Sequence, residues 1–168
     1  MNAREDFLVI GLGGNVGVEA SIVARFGRAR AALSQLGALR SAALYRSAPI
    51  GPTQAPYLNT AVRIAGVRQE PGDLIAMLLE LERLLGRNRA GEVRWGPRHI
   101  DLDVLIWGDR ALESPELIVP HPWLAERRFA LAPMVALVGE AFVVPGLGPA
   151  GALLEQVAMQ DCEELGAW

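Results

Sequence analysis

Hydrophobic positions along the 168-residue chain change period several times, and each change predicts an element. Phe7 to Ile10 is an apolar run that breaks at Gly11-Leu12-Gly13-Gly14-Asn15, so a buried strand is expected to run into a glycine-rich turn. Ile22, Phe26, Ala29, Leu33 and Leu36 then recur three or four residues apart, the spacing of one helix face, and Gly37 lies where a left-handed cap would end that helix. Leu39 to Tyr45 and Tyr57 to Val67 read as the second and third strands. Between them, Ser47 to Pro56 is rich in proline and glycine and too poor in N–H donors to pair centrally in a sheet. Pro71 suits the first position of a second helix, whose stripe Leu74, Leu78, Leu81, Leu85 faces the core before Gly86 stops it.

Arg87 to Arg98 is a polar loop, and Ile100 to Trp107 is the clearest strand. Gly108-Asp109 signals a turn toward a hairpin partner in Ala111 to Val119. A short helix near Phe129 to Val138, a strand near Ala141 to Val144 and a terminal helix from about Gly151 complete the pattern. The order strand, helix, strand, strand, helix, strand is that of a ferredoxin-like α+β sandwich, with a mainly antiparallel sheet and a C-terminal extension. No repeat or linker interrupts it, so residues 1–168 are expected to form one domain.

Composition narrows the function classes. With 51% hydrophobic and 21% charged residues the chain has material for a sizeable core. A formal charge of -3 and a pI near 5.4 argue against a general nucleic-acid or anionic-membrane coat. All 16 basic residues are arginine, which excludes a phosphate loop built on lysine. Codon usage is the plain reading of that bias, but arginine also grips phosphate in a bidentate fork. The single cysteine, Cys162, cannot form an intramolecular disulfide. No signal sequence is expected from the first residues and no apolar run approaches the ~18 residues of a membrane span, so a cytoplasmic location is the expectation.

The candidate chemistry centres on Asp101-Leu102-Asp103. In a strand, Ile100, Leu102, Val104 and Ile106 would face the core while Asp101, Asp103 and Leu105 face the other way, the two carboxylate stems about 6 to 7 Å apart. At an effective dielectric near 20 such a pair repels by roughly 2 to 3 kcal/mol, which a hard divalent cation such as magnesium would relieve. A solvated edge-strand face is the other reading. Just before the strand, Arg83, Arg87, Arg89, Arg94 and Arg98 stand against one acid, Glu92. That local charge suits a loop closing over a polyphosphate, or else a solvated loop; an RNA-binding surface is a weaker alternative, because the aromatic strips of an RNA-recognition motif are absent. Gly11 to Gly17 fits a dinucleotide fingerprint only loosely. Asn15 could read a heterocycle edge, and Tyr57 with Asn59 could flank one, or the pair could simply pack. His99 and His121 are the only histidines, too few with one cysteine for a zinc site.

Taken in order, Gly13-Gly14-Asn15, Tyr45-Arg46-Ser47-Ala48-Pro49-Ile50-Gly51-Pro52, Tyr57-Leu58-Asn59, Arg94-Trp95-Gly96-Pro97-Arg98-His99-Ile100-Asp101-Leu102-Asp103 and Val119-Pro120-His121-Pro122 resemble the hydroxymethyldihydropterin pyrophosphokinase family of folate biosynthesis. The resemblance runs from about Phe7 to at least Pro145. It implies transfer of pyrophosphate from ATP to the pterin hydroxymethyl oxygen, releasing AMP, with two magnesium ions on Asp101 and Asp103 and no protein nucleophile. It further implies a pterin pocket of Asn15, Ser47, Pro49, Ile50, Tyr57, Asn59, Trp95 and Phe129. ATP would be held by Glu82, Arg87, Arg89, Trp95, Arg98, Ile100, His121 and Arg127, with Arg87 and Arg89 acting catalytically from a mobile loop in a monomer. Four positions depart from the family pattern: Gly14 for serine, Ala48 for proline, Leu79 for glutamine and His99 for threonine. They keep a second expectation open, a non-catalytic or altered-specificity pterin- or nucleotide-binding paralogue.

Overall fold

The computed structural model describes residues 6–168. Its main sheet is formed by β1 (Phe7–Gly14), β2 (Ala38–Ser41), β3 (Leu44–Ser47), β4 (Tyr57–Ala65), β5 (Asp101–Trp107) and β10 (Cys162–Gly166), in the order β10-β3-β4-β1-β5 with β2 also on β4. Every pairing is antiparallel. Helices α1 (Glu19–Leu33) and α2 (Pro71–Leu84) cover one face, where Ile22, Phe26, Leu74 and Leu78 meet Leu8, Ile10, Val62, Ile64 and Val104. Helices α3 (Arg128–Val138) and α4 (Ala150–Gln156) pack on the other face through Leu131, Met134 and Leu153 against Val9, Ala61 and Leu105. This second helical layer lies over the Phe7 end of β1. Toward Gly14 the same face opens into the cavity described below.

Several expectations are corrected. The predicted glycine turn is strand: β1 continues to Gly14, with Gly11 and Gly13 paired on both sides, because β4 and β5 supply ladder partners for their backbone groups. The expected strand Leu39 to Tyr45 is two strands on β4. At the break Ala42 donates to the Ala61 carbonyl, and the Thr60 hydroxyl donates to the carbonyls of Ala42 and Ala43. In β5 the alternation slips. Val104 pairs with Ile10 and Ile106 with Val9, so Leu105 is a bulged extra residue and Ile106 turns away from the core shared by Ile100, Leu102 and Val104. Helix α1 does not end on a left-handed Gly37; a 3-10 turn at Ser34–Leu36 follows it and Gly37 is nearly extended. Gly86, by contrast, is left-handed at φ 100° just beyond α2.

Ala111 to Val119 is not a hairpin partner of β5. Its segments β6 (Leu112–Glu113) and β7 (Ile118–Val119) pair only with each other, closed by hydrogen bonds between Ser114 and Leu117. Similarly, the strand expected at Ala141 to Val144 is only β8 (Val143–Val144), which pairs with β9 (Gly148–Pro149). The terminal helix is short, and the chain then returns as β10 beside β3. Trp168 follows it into the α1 side of the core, its indole N–H donating to the Ala42 carbonyl at 3.0 Å and its ring edge-on to Phe26. Among the described residues no helix is long and apolar enough to cross a membrane.

Candidate active site

The sheet register creates a floor without side chains. Gly13 lies between Asn59 of β4 and Asp101 of β5, and Gly11 lies between Ala61 and Asp103. A Cβ on Gly13 would sit 3.3 Å from the Asn59 amide oxygen, and one on Gly11 would sit 3.3 Å from Leu105. Asn59, Asp101, Asp103 and Leu105 therefore border a strip of bare backbone in the lining of a cavity of about 380 Å³. Gly14 is required for a different reason: its Cβ would meet the His99 carbonyl oxygen at 2.7 Å, where the approach to β5 crosses the end of β1.

Asp101 and Asp103 lie on one face of β5, as the strand alternation predicts, with 36% and 39% of their side chains accessible. Asp103 opens to the cavity yet is walled by protein, and burial first, then the Asp101 charge, pushes its pKa up to about 7. His121 is its neighbour, Nε2 lying 4.0 Å from the carboxylate. The His121 amide donates to the carbonyl of the bulged Leu105, and its Nδ1 accepts the Trp123 amide, which leaves the ring proton on Nε2. Burial, reinforced by Arg127, lowers the His121 pKa to about 4, so the ring is neutral.

The arginine loop is more ordered than its charge suggests. Arg87, only 7% exposed, donates to Glu82 at 2.8 Å, to Asp101, and through Nε and Nη2 to Glu92 at 2.8 and 3.1 Å. Burial opposes its charge, but Glu92, Asp101 and Glu82 outweigh that and hold its pKa above the ordinary arginine value. Glu82, 2% exposed, also accepts from Arg89 at 2.7 Å and from the Leu102 amide at 2.8 Å. Its carboxyl pKa is raised by burial despite these donors. Arg83 is occupied by Glu80 on the helix surface. Arg127 contrasts with them all. Its guanidinium lies 5.4 to 5.9 Å from the rings of Trp95, Trp123 and Phe129, and among the described residues it makes no hydrogen bond or ion pair.

At the other end, Asn59 donates to the Ser47 hydroxyl at 2.9 Å, both side chains being buried. Ile50, Tyr57, Trp95 and Phe129 add apolar surface around them. The two loops over the cavity are stitched together. The Tyr57 hydroxyl donates to the Gly96 carbonyl at 2.7 Å, and Gln54 donates to the Trp95 carbonyl at 2.7 Å. Asn15 donates to Gln54 and to the Ala55 carbonyl while accepting from the Arg98 amide at 2.9 Å. Trp95 itself has a left-handed φ of 62° and packs so closely on Gly51 that a Cβ there would lie 2.6 Å from the Trp95 Cβ.

The cavity thus brings together Ser47, Ile50, Tyr57, Asn59, Arg87, Trp95, Arg98, Asp101, Asp103, His121, Arg127 and Phe129 of the residues singled out from sequence. It does not include the side chains of Asn15, Pro49, Glu82, Arg89 or Ile100. Ile100 is fully buried in the core, Asn15 is spent tying the loops, and Glu82 and Arg89 border a groove beside α2. Sequence reasoning missed Gln54, Trp123 and the part played by Glu92. Only Glu92 carried a signal, as the lone acid among five arginines.

The cavity has carboxylates and arginines at one end and uncharged side chains at the other, the make-up of a site for a phosphotransferase-type enzyme. Its family is set by comparison: residues 9–139 match the model of 7,8-dihydro-6-hydroxymethylpterin-pyrophosphokinase (HPPK), and the chain belongs to that family of folate-synthesis pyrophosphokinases. It is 34% identical over 157 residues to the 2-amino-4-hydroxy-6-hydroxymethyldihydropteridine pyrophosphokinase of Synechocystis, covering 92% of this chain and 76% of that one. The Bacillus subtilis protein of the same name is 39% identical over 132 residues, 76% of this chain and 75% of the relative. A crystal structure of an HPPK-DHPS in complex with substrates shares the fold at a TM-score of 0.68 and 10% identity, covering 92% of this chain and 43% of that one. Wild-type Plasmodium falciparum HPPK-DHPS does so at 0.66 and 12% identity, over 91% and 45%.

Proposed function

We propose that the chain transfers the terminal pyrophosphoryl unit of ATP to the hydroxymethyl oxygen of 6-hydroxymethyl-7,8-dihydropterin, releasing AMP, with two magnesium ions held by Asp101 and Asp103. The observation that carries this reading is the carboxylate pair beside the glycine floor. Two hard oxygen donors open to a cavity, with no cluster of three or more metal-ligating side chains among the described residues, suit a cation that completes its shell with water and phosphate oxygens. Asp101 and Asp103 would hold the ions, and bound magnesium would supply positive charge to offset that of the polyphosphate.

The protein's own contribution is positional. Ser47 and Asn59 offer a donor and acceptors to the pterin edge, while Tyr57, Trp95 and Phe129 give its faces apolar cover. Arg127, which makes no hydrogen bond or ion pair among the described residues, meets the triphosphate with Arg98 and Arg87, and neutral His121 donates from Nε2. The hydroxyl oxygen bonds to the β-phosphorus as the bond from that phosphorus to the bridging oxygen breaks; that oxygen leaves with AMP, and the hydroxyl proton passes to the departing phosphate and from there to solvent. The loop bearing Trp95 shields the step from water. Residues 1–168 are read as one ferredoxin-like domain with a C-terminal extension, acting as a monomer in the cytoplasm; the strand order β3-β4-β1-β5 with α1 and α2 on one face supports the fold assignment.

Incubation with ATP, magnesium and the reduced pterin tests the proposal. One AMP per pterin diphosphate is expected, ADP would sink it, and binding of both ligands without product would favour the non-catalytic paralogue.

A further inference from the structure

Arg87 and Arg98, which the proposed function assigns to the triphosphate, are already occupied by a carboxylate. Glu92 takes the Nε and Nη2 edge of Arg87 in two parallel hydrogen bonds, and its Oε2 lies 3.3 Å from Arg98 Nε. Three of the four remaining Arg98 N–H bonds go to the carbonyls of Val93, Gly96 and Pro97. With Glu82 and Asp101 on the Nη1 side, Arg87 has four of the five N–H bonds of a guanidinium engaged. Three arginines, Arg87, Arg89 and Arg98, are balanced by three carboxylates, Glu82, Glu92 and Asp101. As it stands, this cluster offers a polyanion no surplus charge.

The three carboxylates differ in how they are held. Glu82 is on α2, buried, and accepts the Leu102 amide. Asp101 is in the ladder of β5. Glu92 alone sits in a loop, tied by a single 3.3 Å backbone bond to Arg89 and followed by exposed Val93. It can swing away without breaking a helix or a strand.

We propose, resting on the nucleotide reading above, that Glu92 is an internal stand-in for phosphate: a positioning residue that holds Arg87 and Arg98 in place before nucleotide binds and is displaced by the polyphosphate oxygens. The arginines are thereby preset, and every triphosphate that enters competes with a tethered carboxylate. Glu92→Gln removes the charge with little change of shape. Its Kd for magnesium-ATP, measured calorimetrically without pterin, should fall about three- to tenfold relative to wild type, and the Kd for magnesium tripolyphosphate should fall in parallel. Glu92→Ala should shift both in the same direction. A merely structural Glu92 predicts weaker binding in both variants. Unchanged or weaker affinity for either anion overturns the inference, as does a gain confined to ATP, which would locate the effect at the base. Failure of the wild-type enzyme to release AMP would overturn the activity instead, while the ratio of Kd values still reports on Glu92.

Discussion

Asp103, which opens to the cavity, and Glu82, which is buried, both have a raised carboxyl pKa, yet they serve opposite ends. Asp103 faces another carboxylate, and its folded-state pKa lies above the unfolded value, so the folded chain binds the extra proton and stability falls as pH rises from about 4 toward 7. Asp103→Asn should therefore raise the melting temperature at pH 8, by about 2 to 4 °C if roughly 1 kcal/mol of repulsion survives screening by cavity water, and should have no such effect at pH 3. The same variant should lose turnover. Unchanged activity would remove the metal-site reading. Glu82→Ala should destabilise by about 1 to 3 kcal/mol in urea denaturation, because it leaves the buried Leu102 amide without an acceptor and removes one of the three carboxylates that hold Arg87, Glu92 and Asp101 remaining. The aspartate pair was legible from strand alternation alone. Glu82 came only with the family resemblance: it lies within the leucine stripe, four residues after Leu78, where a carboxylate has no evident purpose until its arginine and amide partners are known.

Elements differ in how far local pattern decides them. Both main helices follow their apolar spacing, and the order of the main sheet follows from the order of elements. Strand β1 was cut short in the sequence reading because glycine carries a turn signal; here the neighbouring strands decide, and the absent side chains serve the cavity. The Leu105 bulge is invisible in sequence, yet it reverses Ile106 and presents the carbonyl that anchors His121. Strand β10 was missed because Cys162 to Gly166 is short and acidic, and its pairing is purely long-range. Its end is anchored by Trp168, and Trp168→Ala should cost about 2 to 4 kcal/mol, read as a lower urea midpoint with an unaltered cavity. A change below 0.5 kcal/mol would mean the indole is only resting on the core.

At the scale of the whole molecule, the two ends of the cavity are joined through the loops above it. Gln54 is the hinge of that connection, in contact with Asn15 on one side and Trp95 on the other. Gln54→Ala should leave the melting temperature within about 2 °C, speed hydrogen exchange across 93–98, and weaken pterin binding about tenfold. Equal exchange in both proteins would show that the stitch does not govern closure. This link is not legible in sequence, because its two halves lie about forty residues apart and it is made by a side-chain amide and a backbone carbonyl, which leave no pattern along the chain. The bare floor of the cavity bears on inhibition. A flat inhibitor resting on Gly11 and Gly13 would contact atoms that every amino acid shares, and any added Cβ would press on Leu105 or Asn59. Resistance by substitution at those two positions would have to press on Leu105 or Asn59 and so reshape the cavity itself, leaving few routes of escape.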